Sequence, residues 1–117
     1  MLNFRDFQAG PYQVRFGGLQ TGIAPRHSDT VDVRFLLERE GARESKTIAM
    51  PHAGLVALSR QQGRALADPW CARIAAVHLR EMIETGADME KPLVTLSEED
   101  LERHAAEVAE IERQALV

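Results

Sequence analysis

Residues 68–86 read DPWCARIAAVHLREMIETG, and the fold turns on how this stretch is taken. Asp68 can act as an N-cap, since its carboxylate accepts from the free amides of a first turn. Pro69 suits the first helical position, where a missing N–H costs nothing. Gly86 supplies a left-handed stop. Between them Trp70, Cys71, Ala72, Ile74, Ala75, Ala76, Val77, Leu79, Met82 and Ile83 are apolar. On a helical period they cover most of the circumference, broken only by Arg73, His78, Arg80, Glu81 and Glu84. A one-sided surface helix shows a narrower stripe. This helix is therefore expected between two partners, a sheet on one flank and another helix on the other. Its apolar run is too short and too charged to span a membrane.

On the C-terminal side, residues 92–95 are extended, and Leu93-Val94 is a candidate short edge strand. The run LSEEDL (96–101) marks a helix start. Ser97 is the N-cap, Asp100 takes the position where a capping box wants Glu or Gln, and Leu96 and Leu101 occupy the staple positions. Glu98, Glu99 and Asp100 fall in the first turn, which the helix dipole favours for anions. Leu101, Ala105, Val108 and Ile111 form one apolar stripe, and Glu99 with Arg103 makes an i,i+4 pair.

On the N-terminal side, Leu55, Leu58, Ala65 and Leu66 recur at helical spacing over 52–66, although Gly54 and Gly63 weaken that helix unless they permit close packing. Upstream the period changes to two. Tyr12, Val14 and Phe16 alternate with Gln13 and Arg15; Val31, Val33, Phe35 and Leu37 alternate with Asp32, Arg34 and Leu36; Ile48 and Met50 oppose Ser45 and Thr47. The last two runs form a hairpin around Glu40-Gly41, with a loop of roughly four residues. Gly17-Gly18 breaks or bends the first run, which Leu19–Ile23 can continue. Phe4 and Phe7 tie the N-terminal arm to the body.

The fold class is thus α+β: a three-stranded antiparallel sheet (about 12–16, 31–38 and 44–50) followed by three helices (about 52–66, 69–85 and 98–115). Strands first and helices after argue against a doubly wound parallel sheet. The 117 residues are read as a single domain, 1–117. That length supports a core without metal or disulfide staples. A lone cysteine and the lack of a signal-like N-terminus place the chain in the cytoplasm. The net charge of −4 is uneven: residues 1–66 sum to +3 and 67–117 to −7. The acidic half is read as solvated helix surface.

Chemistry has few footholds. The histidines, at 27, 52, 78 and 104, make no i,i+3 or i,i+4 pair with one another, so neither a metal site nor a cofactor is expected. Cys71 in a helical first turn reads as a small buried apolar residue, because nothing places a base beside it. His78 reads as a buried group satisfied by a carboxylate or carbonyl. The glycines of 17–22 lack phosphate-loop spacing and read as a turn or bulge. The densest polar loop cluster is Arg26-His27-Ser28-Asp29. With Arg15 and Arg34 on the wet sheet face, Arg26 and His27 complete the candidate anion or partner site, Arg15, Arg26, His27 and Arg34.

The reading that results is a small non-catalytic interaction or regulatory module. It self-associates as a homodimer, takes a protein partner rather than nucleic acid, and stays off membranes. The first alternative is an anion or nucleic-acid binder using the basic sheet face and the 17–30 segment. The wet face carries no aromatic for base stacking, which weakens it. The second is a small enzyme with His27 or His52 as acid/base.

Overall fold

The computed structural model of this chain describes residues 4–22 and 29–115. Four strands come first: β1 (Asp6–Ala9), β2 (Tyr12–Gly22), β3 (Thr30–Arg39) and β4 (Ala42–Pro51). Then follow α1 (His52–Gln61), α2 (Asp68–Thr85), β5 (Leu93–Thr95) and α3 (Glu98–Ala115). The chain is α+β, with a mixed five-stranded sheet in the order β1-β2-β3-β4-β5. The first four strands run antiparallel, and β5 pairs parallel with β4.

The expected three-stranded antiparallel sheet is therefore too small. β1 has four residues, too few for its alternation to stand out, and it is held by a tight turn that pairs Ala9 with Tyr12. β5 has three residues and returns to the sheet only after α1 and α2. Such a crossover is what a parallel pairing requires. β2 runs on to Gly22 instead of stopping at Phe16. Its register pairs Phe16 with Phe35 and Gly18 with Arg34, which leaves Gly17 as a bulge. The extra residue shifts the inward phase from even to odd numbers. Leu19, opposite Val33, thereby packs on the same core as Val14 and Phe16.

The β3–β4 turn is tighter than expected. Arg39 pairs with Ala42, so only Glu40 and Gly41 lie between the strands, at φ 51° and 81°. Two left-handed residues in a row match the natural twist of the sheet.

α2 is the interior rod that its composition implies. It touches β1, β3 and β4 on one flank and α3 on the other. Trp70, Ile74, Ala75, Ala76 and Leu79 have at most 1% of their surface exposed. Burying each large apolar side chain contributes about 1.5–3 kcal/mol. Ala67, not Asp68, is the N-cap residue, and Gly86 closes the helix at φ 76° with its N–H on Met82 O at 2.7 Å.

α1 ends at Gln61, short of residue 66, because Gly63 turns left-handed (φ 64°) and Arg64 N–H folds back onto Ser59 O at 2.9 Å. Ala65 and Leu66 consequently lie exposed. α3 packs on both α1 and α2. Asp100 N–H donates to Ser97 Oγ at 3.1 Å, as a capping serine requires, but the Asp100 carboxylate turns to Arg103 instead of closing the box. Among the described residues no helix is long and apolar enough to cross a membrane.

Candidate functional site

Two places could carry chemistry or recognition: the sheet face turned away from the helices, and a polar cluster between α2 and α3.

The strand registers set out the outer face in rows. One runs Asp6, Arg15, Leu36, Ser45, and the next Gly18, Arg34, Thr47, Leu93. A third runs Gln20, Asp32, Ala49, Thr95, and a fourth Gln8, Gln13, Glu38, Arg43. Arg15 and Arg34 are thus diagonal neighbours on adjacent strands, both exposed. Of the four sequence-predicted binding residues the fold brings these two together; Arg26 and His27 lie outside the described residues. Among the described residues the face is not basic. Asp6, Asp32 and Glu38 match Arg15, Arg34 and Arg43 in number. Asp32 and Arg34 both line a shallow depression of about 250 Å³ beside the Gly17 bulge. Leu36 and Leu93 are 43% and 53% exposed there.

Other candidates recede. Burial, then the nearby Asp68 carboxylate, pushes the Cys71 thiol up to about 11, which leaves it a protonated core residue. His52 opens α1 and is half-buried there. Lys46 points inward from β4 and is only 2% exposed. Its Nζ donates to the carbonyls of Met89 (2.5 Å) and Lys91 (2.9 Å), pinning the segment before β5 to the sheet.

The second place is built from α2 and α3. His78 is 7% exposed and His104 1%. His78 Nδ1 lies 2.8 Å from His104 Nε2, with the rings edge to face at 64°. Glu81, one turn beyond His78, puts its Oε2 3.9 Å from His78 Nδ1 and 3.6 Å from His104 Nε2. The guanidinium of Arg103 grips that carboxylate at 2.5 and 3.0 Å and also donates to Asp100 at 2.8 Å.

Burial lowers the pKa of both imidazoles. His78 falls despite the pull of Asp100 and Glu81, and His104 falls to about 4, with its partner His78 and Arg103 adding to burial. The hydrogen bonds from Arg103 hold Glu81 and Asp100 below the ordinary carboxylate range. At neutral pH the cluster therefore holds two uncharged rings, each with one nitrogen lone pair, beside an ionised carboxylate. It opens on a cleft of about 270 Å³ walled by Arg80, Glu84 and Glu107.

Reading for helical histidine pairs missed this cluster because its histidines are 26 residues apart on different helices. Two signals were present. His78 and Glu81 stand at i,i+3, and His104 sits on the apolar stripe of Leu101, Ala105 and Val108. The expected satisfying partner of His78, a carboxylate or carbonyl, proves to be a second imidazole. No protein-family model, curated protein or solved structure matches the chain.

Proposed function

We propose that this chain is a non-catalytic interaction module that self-associates, a second copy covering the bare face of the sheet. The observation that carries the reading is where the exposed apolar surface lies. Leu36, Leu66 and Leu93 are the exposed large hydrophobics among the described residues, and two of them stand on that face. Burial of such residues drives association.

The charges favour a second copy over a polyanion. Among the described residues three acids and three arginines share the rows, so that part of the face is neutral. A two-fold axis makes one patch its own partner. Arg15 and Arg34 of one protomer can then meet Asp6 and Asp32 of the other, with Leu36 and Leu93 shut from water between them. The near-encircling apolar surface of α2 is consumed inside the protomer by the sheet and α3, so it offers nothing to a second copy. The dimer rests on the sheet face instead.

Light scattering after gel filtration tests this. A dimer at micromolar concentration, with no 260 nm excess in the peak, is the expected result. A monomer contradicts it, and a peak carrying nucleic acid that high salt removes would favour the polyanion reading.

A further inference from the structure

We propose that His78, Glu81 and His104 bind a divalent transition-metal ion of the zinc class, with the cleft between α2 and α3 giving access to its open coordination position. The inference uses none of the residues on the sheet face, so either proposal can fail alone.

Geometry comes first. The donor atoms are His78 Nδ1, His104 Nε2 and Glu81 Oε2, separated by 2.8, 3.6 and 3.9 Å. Zinc bonds of about 2.0–2.2 Å to nitrogen and carboxylate oxygen place tetrahedral donors roughly 3.3–3.6 Å apart. The observed triangle brackets that edge, so an ion can enter once the two ring nitrogens part by roughly half an ångström. His78 and Glu81 are one turn apart on α2 and face the same way. The packing of α3 on α2 delivers the third donor.

Chemistry follows. Two neutral imidazoles and a carboxylate form a borderline donor set that suits zinc and its first-row neighbours. Calcium and magnesium prefer oxygen alone. Because burial disfavours protonation of both rings, their lone pairs are available at neutral pH. An ion would replace the one N–H···N bond between the rings, the displaced hydrogen moving to the other nitrogen of its ring.

Surroundings complete the case. Glu81, Glu84, Asp100 and Glu107 outnumber Arg80 and Arg103 by two around the cleft, which favours a cation. Arg103 holds the Glu81 carboxylate in a two-pronged grip while Asp100 offsets its charge. Partners behind a ligand commonly fix it for metal in this way. Three protein ligands leave a fourth position for water or a small anion, the pattern of an open site rather than a closed structural one.

The test is calorimetric titration of the untagged protein with Zn²⁺ after chelator treatment. One ion per chain is expected, with affinity at least about tenfold weaker in Glu81→Gln and in His104→Gln. His52→Gln, on another element, should bind like wild type. Glu81 is about one-third exposed, so Glu81→Gln keeps the fold and decides the matter should His104→Gln unfold. Absence of saturable one-to-one binding by the wild type overturns the proposal. So does wild-type affinity in folded Glu81→Gln.

Discussion

His78 of α2 and His104 of α3 meet nitrogen to nitrogen at 2.8 Å inside the helical layer, where a charge on either ring is disfavoured. This contact sets a pH dependence. Both rings have lower pKa values folded than unfolded, so below about 6.5 the unfolded chain takes up more protons. The pair's contribution is complete above the unfolded value and is lost as pH falls toward about 4, the folded value of His104. Glu81 and Asp100, with Asp88 near His78, pull the other way, and Arg103 reinforces burial. Urea unfolding in chelator should show a loss on the order of 2–3 kcal/mol across that window. His104→Gln should flatten the slope, and a variant as steep as wild type would refute the assignment.

The far end of α3 is held by another carboxylate. Glu112 receives Arg64 at 2.8 Å and Arg73 at 2.9 Å, and Arg64 also lies over the Trp70 ring at 5.1 Å. Burial opposes ionisation of Glu112, but the two guanidiniums win and hold its pKa below the usual value. Glu112→Ala removes the shared anchor and leaves two half-buried cations, at an expected cost of about 1–3 kcal/mol. Amide exchange should quicken over residues 108–115 and change little over 101–105. Uniform acceleration along the helix would count against a local clamp.

Gly54 of α1 sits tightly against α3. A Cβ there would stand 2.8 Å from Leu101 Cδ2, and Leu101 is 1% exposed. An exposed helical glycine normally gains stability on substitution. Here Gly54→Val should instead lose about 1–3 kcal/mol through overpacking, measured as a lower urea midpoint. A midpoint at or above wild type would mean that the helices are not in contact at this point.

Much of this architecture was legible in the chain. The two-residue period of 31–37 and the helical period of 70–83 encode which face is buried, and burial of alternate residues fixes register strongly. Ser97 likewise announced the start of α3. What stayed hidden lacks period or is long-range. β1 is too short to alternate, and its strand character comes from β2 beside it; β5 was legible as the extended Leu93-Val94, but not its parallel pairing with β4. The glycines at 17 and 18 announced a bend or bulge that the strand could continue past, but not the inversion of phase that puts Leu19 on the core side of β2. Helix α1 lost its last turn to Gly63, whose left-handed backbone outweighed the apolar spacing of Ala65 and Leu66. Of the candidate site, Arg15 and Arg34 share a face as their parity implies. The histidine cluster depended on how α3 lies across α2, which local spacing does not encode.

Substitution on the outer sheet face distinguishes a protomer covered there by a second copy, as proposed, from one that is not. Leu36→Arg and Leu93→Arg each place a charge on an already exposed position, so the protomer fold should persist by circular dichroism. Sedimentation equilibrium of the wild type at micromolar concentration should return twice the 13.0 kDa chain mass, and either variant should return the chain mass itself. A wild-type monomer, or dimers that survive both substitutions, would rule out self-association through this face.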